Sequence, residues 1–482
     1  MTASRSILAW GSYLPRWRMA RQTIAAQTAW LEPALAKRAR GQRTVANWDE
    51  DAITMAVAAA DRALDPTLLC DSLTFATTTA PFTDRSNAGL VGDALSLASE
   101  VSRADATGSQ RAGTSALLST LAPDRNGMAL VTAADRRCAR VASAAELHQG
   151  DGAAAFLVGS GEGAARCLGV HAVHADFVHQ YRTVERDVDY VLEDRWVRDA
   201  GILTVVPQTL LALVSKCNVP LARIRHLILP FANRHGRHVC KALSLDSDIL
   251  ASDLFATVGD TGVAHALLQL AHVLETAAAG DIVALVGFGQ GCDAALFEVT
   301  ENAASVRGGP TVAAAANDGA RLDDYLKLPA FSRQLCLDRG LRAEADKRTA
   351  LSVHARRAGE INSMIGSRCR ECQTPHFPSA RICVACGATD RMSDYPFARR
   401  QGRLKTFTED WQAFSPSPPL CYGNVSFEGG GNAFMALTDI EPGDAHIDMP
   451  LMMQFRIKDF DDRRGFRRYF FKGVPLRETD HG

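Results

Sequence analysis

The chain has 482 residues, of which 47% are hydrophobic and 22% charged, and its formal net charge is −1. This length exceeds what one hydrophobic core serves, so two or three globular domains are expected. A net charge near zero, with a pI of about 6.9, excludes a global field that recruits nucleic acid or an anionic membrane. With no secretory signal and no run of about 18 apolar residues, we expect a cytoplasmic protein without a membrane span.

Short apolar strands alternate with Ala- and Leu-rich helices over residues 1–300. The predicted strands are 73–79, 127–134, 153–159, 226–231, 281–288 and 294–299, and the predicted helices include 51–64 and 261–279. Strands that alternate with helices are typical of an α/β layered domain.

An internal repeat divides this region into two similar halves, about 1–160 and 161–300. "RAGTSALLSTL" (111–121) and "DTGVAHALLQLAHVL" (260–274) are both small-residue turns that open a helix. "GDGAAAFLVG" (150–159) and "FGQGCDAALFEV" (288–299) are both glycine turns followed by an apolar strand. The repeated order indicates a duplicated unit around a pseudo-twofold axis. The alternative is chance recurrence of Gly- and Ala-rich turns.

The composition changes after residue 300. Residues 301–320 are rich in Gly and Ala and predict a linker or external arm, which a charged helical stretch (321–358) follows. We therefore place a linker, arm and helix at 301–355. Predicted strands at 402–411, 432–440, 449–457 and 467–476 indicate a small antiparallel barrel over 397–476.

Four of the twelve cysteines lie in one motif. Cys369, Cys372, Cys383 and Cys386 form a CxxC-x10-CxxC pattern in "CRECQTPHFPSARICVACG". Each CxxC pair presents two thiolates to one metal, and two pairs complete a tetrahedral four-sulfur shell that suits Zn²⁺. Because no position is left for water, the predicted metal is structural. Iron is the chemical alternative, and His376 is predicted to be a loop residue.

Several stretches carry a resemblance to a known family. "GSYLPRWRM", "WDEDAITMAVAAADRAL", "RAGTSAL", "GDGAAAFLVG", "VGDTG" and "GFGQG" resemble the hydroxymethylglutaryl-CoA synthase and ketoacyl synthase III-like branch of the thiolase superfamily. "FPSARICVAC", "GRLKTFT" and "YFFKGVPL" resemble the zinc ribbon (356–396) and OB-fold (397–476) that accompany such enzymes. The resemblance implies a duplicated αβαβα layered domain, a rubredoxin-like ribbon and an OB-type barrel.

The resemblance also implies Claisen-type chemistry on acyl-CoA thioesters, in which a cysteine at a helix N-terminus is acylated. Gln110 stands at the position of that cysteine, and Thr78 at the position of the family's acidic glutamate. The family histidine falls within 230–233, where the register is uncertain and Asn233 is the candidate. Asp260 stands at the position of the later asparagine. Cys138 and Cys240 do not lie on the helix-opening turn and are not predicted to replace the nucleophile.

A glutamine amide can hold a thioester without attacking it, so Gln110 is the main catalytic candidate. In decarboxylating relatives, a glutamine at this position accompanies enolate formation. Asn233, His235, Asp260 and Thr78 are the further candidates. The structural alternatives are an inert glutamine in a decayed site, a solvated helix start at His235 and His238, and a helix N-cap at Asp260.

Two further groups are candidate ligand contacts. Gly289 and Gly291 allow backbone N–H groups to approach an oxyanion, although tight turns alone use the same residues. Arginines near the C-terminal end can bind CoA phosphates, or form only a solvated hairpin. These are Arg463, Arg464, Arg467 and Arg468.

Three functional hypotheses follow. The first is an acyltransferase or C–C lyase that forms or cleaves a C–C bond in a β-keto acid or β-ketoacyl-CoA, without an acyl-cysteine. The second is a catalytically inactive subunit that partners an active thiolase-like homologue; homodimers and heteromers both remain open. The third and most distant is a nucleic-acid-binding module; no nucleic acid or membrane partner is expected.

Overall fold

The computed structural model describes residues 5–64, 70–122, 124–305, 309–338 and 350–477. The strands before residue 300 are β1 (Arg5–Tyr13), β2 (Trp17–Ala20), β3 (Gln42–Val45), β4 (Ser72–Ala76), β5 (Ser102–Ala106), β6 (Ala129–Asp135), β7 (Gly152–Ser160), β8 (Ala165–His174), β9 (Gln180–Tyr181), β10 (Tyr190–Val191), β11 (Ile224–Ile228), β12 (Ile282–Phe288) and β13 (Gly291–Val299). The α-helices of this region are α1 (Arg21–Thr28), α2 (Ala52–Ala63), α3 (Asn87–Ala94), α4 (Ala112–Thr120), α5 (Ala144–His148), α6 (Asp194–Trp196), α7 (Leu203–Cys217), α8 (Asn233–Ala242) and α9 (His265–Leu274).

One mixed sheet contains both halves of the predicted repeat. Its strand order is β11-β12-β13-β8-β1-β7-β6-β4-β5. The halves meet where β1 pairs with β8 through only Ser6↔Arg166 and Ile7↔Ala165. The second half has a single parallel bridge, Leu227↔Leu250, in place of a strand equivalent to β5.

The helices form layers around this sheet. Helices α4 and α9 share a central core, to which Leu117 and Leu268 contribute. Helix α2 covers the outer face of the first half, with Met55 in its core, and α7 covers the second half, with Leu210 in its core. The α/β layered architecture expected from the sequence is confirmed.

Local sequence signals explain where the helices begin. Asp51 caps α2 by accepting a hydrogen bond from Thr54 N, while Asp51 N donates to Thr54 Oγ1. The helix predicted at 261–279 is shorter in the structure. It consists of a 3₁₀ turn, Gly262–Ala264, followed by α9, which ends at Leu274.

Helix α6 continues through a π-helical turn, Val197–Ile202, into α7. The combined helix, Asp194–Cys217, has 24 residues and by length and composition alone can cross a membrane. However, 44% of its apolar window is buried inside the protein, and Leu210 and Leu213 pack fully buried beneath the sheet. This packing is that of a core helix.

Residues 309–338, most of which were expected to form an arm and a helix, pack on the first domain. They contain α10 (Val312–Asn317), β14 (Ala320–Arg321) and α11 (Lys327–Phe331). Val312 is fully buried, and β14 extends β2 in parallel. Part of the predicted helical stretch, 339–349, lies outside the described residues. The domain limits at 300, 355 and 396 remain predictions.

The C-terminal part contains two small antiparallel sheets. Its elements are α12 (Leu351–Arg356), α13 (Ala358–Asn362), β15 (Ile365–Cys369), β16 (Pro375–His376), β17 (Met392–Pro396), β18 (Gly402–Asp410), β19 (Leu420–Phe427), β20 (Asn432–Ala436), β21 (Pro450–Asp461) and β22 (Phe466–Pro475). The ribbon sheet has the order β16-β15-β17, and the barrel sheet has the order β20-β19-β18-β21-β22. A parallel bridge, Leu437↔Gly473, brings the two ends of the second sheet together, as in an OB-type barrel.

Strand β19 was not among the predicted strands. Its side chains alternate between buried and half-buried positions, so the period-two signal is present in "LCYGNVSF". The barrel and the first domain also share one continuous hydrophobic core, in which Met55 of α2 and Phe455 of β21 both lie. The C-terminal module is thus packed firmly against the first half.

Candidate active site and cysteine centre

Gln110 lies in the turn that leads from edge strand β5 into α4. It is half-buried and directly precedes Arg111, the N-cap residue of α4. Two neighbours bind the same carbonyl of the second half: Ser109 Oγ donates to Gly289 O over 2.8 Å, and Arg111 Nε donates to it over 2.9 Å. The Gln110 turn is therefore held against the glycine turn of the second half.

The glycine turn between β12 and β13 needs its glycines for different reasons. A Cβ added to Gly289 would lie 3.3 Å from the Cβ of Gln110 and 2.9 Å from Ser109 Oγ. A Cβ added to Gly291 would lie 2.1 Å from Val173 O on strand β8. The structure thus brings Gly289 next to Gln110, whereas Gly291 serves the close approach to β8.

A buried carboxylate fixes the start of α4. Asp293 is 1% exposed and accepts hydrogen bonds from Arg111 Nη1 at 2.5 Å, Ser115 Oγ at 2.5 Å and Thr114 Oγ1 at 3.1 Å. Sequence analysis missed this residue. Its signal is an acidic residue inside the apolar strand "GCDAALFEV".

Thr78 follows β4 and binds a second buried carboxylate. Thr78 N donates to Asp135 Oδ1 over 2.7 Å, and Thr78 Oγ1 donates to Asp135 Oδ2 over 2.9 Å. Val263 N, at the start of the second half's central helix, donates to the same Oδ2 over 3.1 Å. Asp135 therefore connects Thr78 to the turn that contains Asp260.

Asp260 pairs with a buried arginine. Arg137 Nη2 lies 2.9 Å from Asp260 Oδ2 and also donates to Asp260 O over 2.8 Å. Burial by itself raises the pKa of Asp260, but the Arg137 guanidinium outweighs it and holds the pKa below its usual value. Asp260 Oδ1 also accepts from Gly262 N over 2.9 Å, but the N-cap residue of the 3₁₀ turn is Thr261, so Asp260 is not the helix cap expected as the alternative.

The β9–β10 hairpin lies over this network. Asp189, just before β10, lies 3.9 Å from Arg137 Nη1 and accepts from Arg182 Nη1 over 2.9 Å. The other end of the Arg182 guanidinium donates to Thr78 O. The hairpin thereby connects Thr78 to Asp260.

Asn233 and His235 lie in the first turn of α8. Asn233 Nδ2 donates to Ala251 O over 3.0 Å, and Asn233 N donates to Asp253 Oδ2 over 2.8 Å. His235 Nε2 lies 3.2 Å from Asp194 Oδ1, and burial lowers the pKa of His235. The side chains of Asn233 and His235 therefore both have polar partners within the second half of the first domain.

A second histidine was missed by sequence analysis. His179 directly precedes β9, and its ring centroid lies 5.2 Å from that of Phe288, the residue before Gly289. Its Nδ1 is buried without a hydrogen-bond partner. Phe288 also contacts Phe177 and Phe231, at centroid distances of 6.3 Å each. An isolated histidine in a polar loop carries no motif that would have identified it.

The remaining cysteines of the first domain are not activated. Burial raises the pKa of the Cys138 and Cys240 thiols, and raises that of Cys292 to about 12. A thiol with a raised pKa is a weak nucleophile at neutral pH. These three cysteines therefore lack the electrostatic setting of a catalytic thiolate.

The four cysteines of the ribbon form one cluster. Their sulfur atoms all lie within 4.8 Å of one another, with Cys372–Cys383 at 3.4 Å and Cys369–Cys386 at 3.7 Å. Four sulfurs around a tetrahedral Zn²⁺ lie about 3.8 Å apart. Gln373 and Gly387, which follow the second cysteine of each pair, both have positive φ (64° and 72°), so the two knuckles have matching geometry. The cluster can hold one metal ion.

The arginines proposed to bind CoA lie around the β21–β22 hairpin. Arg468 binds Asp459 through two hydrogen bonds of 2.6 Å, and Arg464 Nε lies 2.5 Å from Asp461 Oδ2. Arg467 Nη1 lies 2.9 Å from Asp51, the cap of α2, whereas Arg463 is exposed. Their CoA-binding role remains a prediction.

Comparisons with known proteins agree with this architecture. No protein-family model matches the chain. Over 322 residues it is 26% identical to the hydroxymethylglutaryl-CoA synthase of Aeropyrum pernix, covering 62% of this chain and 86% of the relative. Over 118 residues it is 27% identical to a DUF35 domain-containing scaffold protein of Methanocaldococcus jannaschii, covering 23% of this chain and 82% of the relative.

Solved structures show the same fold. A hydroxymethylglutaryl-CoA synthase complexed with CoA matches with a TM-score of 0.58 and 17% identity, over 72% of this chain and 95% of the other. The 3-oxoacyl-(acyl carrier protein) synthase III of Pseudomonas aeruginosa matches with a TM-score of 0.53 and 20% identity, over 62% and 98%. The chain is therefore similar to the hydroxymethylglutaryl-CoA synthases in its thiolase-like fold, and its C-terminal part with the four-cysteine ribbon fits the similarity to the DUF35 domain-containing scaffold protein.

Proposed function

We propose that the chain is an acyltransferase or C–C lyase that acts on a β-keto acid or β-ketoacyl-CoA without forming an acyl-cysteine. The relatives are acyl-CoA condensing enzymes, which supports thioester chemistry. The observation that carries the proposal is the placement of Gln110 at the start of α4, directly against Gly289. The turn that would present a nucleophile is intact, and its reactive atom is replaced by an amide.

In this proposal Gln110 positions the substrate, and the CoA thiol attacks directly. The sulfur forms a bond to the β-carbonyl carbon, and the bond between the α- and β-carbons breaks. The electron pair of that bond goes to an enolate, which then takes up a proton. The products are two thioesters from a β-ketoacyl-CoA, or one thioester and one acid from a β-keto acid. The reverse sequence is a Claisen condensation.

Gln110→Cys tests whether the cavity accepts a thioester. We expect an acyl adduct on the introduced thiol after incubation with acetyl-CoA, detected by mass spectrometry, because the N-terminus of α4 favours a thiolate there. Ser119→Cys, exposed in the same helix, is the matched control and should remain unlabelled. The wild-type protein should in parallel yield CoA-dependent products from β-keto acids. Labelling of a natural cysteine inside the site would overturn the non-covalent mechanism.

A specific observation favours the second candidate, a non-catalytic subunit. The side chains of Thr78, Asn233 and Asp260, to which the resemblance assigns catalytic positions, bind Asp135, Ala251 O and Arg137. Such a subunit would pair through the exposed edge strand β5 with a second copy or an active homologue. Co-expression with a thiolase-like partner decides between the two: turnover by a purified homodimer rules out the scaffold, and turnover by the heteromer alone supports it.

We further propose that the cysteine cluster holds a structural Zn²⁺ and that the protein works in the cytoplasm. The sulfur spacing supports a tetrahedral thiolate site. The four sulfurs complete the shell, so the ion would stabilise the ribbon and take no part in the reaction.

A further inference from the structure

His179 lies near the site and, like His235, has a buried Nδ1 without a hydrogen-bond partner. In the described part of the chain, neither of its ring nitrogens has a hydrogen-bond partner, and Nδ1 is fully buried. By contrast, His265 Nδ1 lies 3.3 Å from Thr261 N and its Nε2 lies 3.0 Å from Asp253 O. His235 has Asp194. Each nitrogen of an imidazole is a hydrogen-bond donor or acceptor. The ring of His179 can therefore form a hydrogen bond with a ligand that the chain itself does not contain.

The backbone holds His179 firmly in this place. Its carbonyl accepts a hydrogen bond from Leu192 N over 2.9 Å, and Gln180 pairs with Val191 in the hairpin. The same hairpin contacts Thr78 through Arg182 and Arg137 through Asp189. The imidazole is thus carried by a segment that binds the other candidate residues.

A chain of packing contacts connects the ring to the Gln110 turn. Phe288, against which the ring packs, is followed by Gly289, and Gly289 contacts the Gln110 turn. The charged groups that act on the ring are Asp260 and Arg137. Burial lowers the pKa of His179 to about 4, with Asp260 opposing and Arg137 adding to the effect. The imidazole is therefore neutral at physiological pH and able to accept a proton.

We propose that His179 is the catalytic base and acid that moves the α-proton of the thioester substrate. In the condensing direction the C–H bond breaks, its electron pair becomes the enolate, and the proton forms an N–H bond on the imidazole. In the cleaving direction the imidazolium returns that proton to the enolate carbon. This assignment rests on the proposed function and supplies the proton acceptor that Gln110, an amide, cannot be.

The test is exchange of α-protons in D₂O with acetyl-CoA as the probe, followed by mass spectrometry. We expect the wild-type full-length chain to incorporate deuterium, and His179→Gln to slow the exchange by about 100-fold or more. His446→Gln, at an exposed position of the barrel, should exchange at the wild-type rate. Imidazole added in solution should restore exchange to His179→Ala, which a merely structural histidine would not allow.

The outcomes separate this assignment from the proposed function. If His179→Gln exchanges at the wild-type rate, or if the wild-type protein makes product without any exchange, the assignment to His179 is overturned and the function stands. Loss of exchange in His179→Ala that imidazole does not restore, with a lowered Tm, indicates a structural role and also overturns it. A wild-type protein that neither exchanges protons nor makes product overturns both.

Discussion

Arg456 of the barrel and Glu50 of the first domain form a fully buried ion pair, with Nη1 2.6 Å from Oε1 and both side chains 1% exposed. Arg456 also reaches Asp439 at 2.7 Å, and Lys472 lies 2.9 Å from Asp49. Tyr13 OH donates to Glu50 Oε1 over 2.5 Å. These contacts place the acidic side chains of Asp49 and Glu50 inside the interface between the two parts of the chain.

The first prediction concerns this interface. Arg456→Met removes the cation that the buried carboxylates of Asp49, Glu50 and Asp439 share, and it should cost about 3–5 kcal/mol of the free energy of unfolding. Glu50→Gln keeps a hydrogen-bonding group of the same size and should cost about 1 kcal/mol. Chemical denaturation of both variants measures the difference. Equal losses would show that Arg456 is not the centre of the network.

The pH dependence of stability gives a second test of Glu50. Burial raises the pKa of Glu50, against the opposing effect of Arg456. Since the pKa is higher in the folded state, the contribution of Glu50 to stability is complete below the unfolded pKa of about 4.3 and declines as the pH rises. Because the folded-state pKa of Glu50 is about 7, Glu50→Gln should make the free energy of unfolding less dependent on pH between about 4.3 and 7. The free energy of unfolding is measured by urea denaturation at each pH. If its change with pH is the same in Glu50→Gln as in the wild-type protein, the raised pKa is contradicted.

The third prediction concerns metal removal. Zinc content measured by elemental analysis should be one ion per chain, and Cys383→Ser should lose it together with thermal stability. Cys421→Ser is the control, because Cys421 is also buried but lies in the barrel outside the cluster. Retention of one full zinc in Cys383→Ser would contradict the four-cysteine site.

Two helical glycines make a matched pair for the fourth prediction. A Cβ on Gly113 of α4 would lie 2.2 Å from Val263 O, whereas a Cβ on Gly359 of α13 would meet nothing within 4 Å. Gly113→Ala should therefore lower stability by about 1–3 kcal/mol, because the two halves must separate. Gly359→Ala should raise it by about 0.5–1 kcal/mol through helix propensity. Thermal denaturation measures both variants: the Tm of Gly113→Ala should fall below that of the wild-type protein, and the Tm of Gly359→Ala should rise above it.

The fifth prediction is a pH profile for the exchange assigned to His179. Its pKa of about 4 implies that the neutral form persists through pH 5, so the exchange rate should stay level from pH 8 to 5 and fall near pH 4. A histidine with an ordinary pKa of about 6.5 would instead give a fall between pH 7 and 6. A profile with the latter midpoint contradicts the burial of the imidazole.

Much of the framework was predictable because its signals are local. Four cysteines at fixed spacing, glycine turns that repeat in the same order, and the apolar strands β6, β7 and β12 are all readable from neighbouring residues. The Gln110 turn was found for the same reason. Local patterns are reliable where the physical cause, such as a metal knuckle or a tight turn, acts over a few residues.

The sequence by itself determined an α/β layered domain, a cysteine ribbon and a barrel, and it placed Gln110 in a turn that opens a helix. Only the tertiary structure decided which residues surround that glutamine. Asp293, from the second half, binds Arg111 beside Gln110, whereas Arg137 and His179 belong to the charged network around Asp260. Tertiary packing also places Arg456 against Glu50 and residues 309–322 against the first domain. Burial and charge pairing are properties of the folded assembly, and no local pattern contains them.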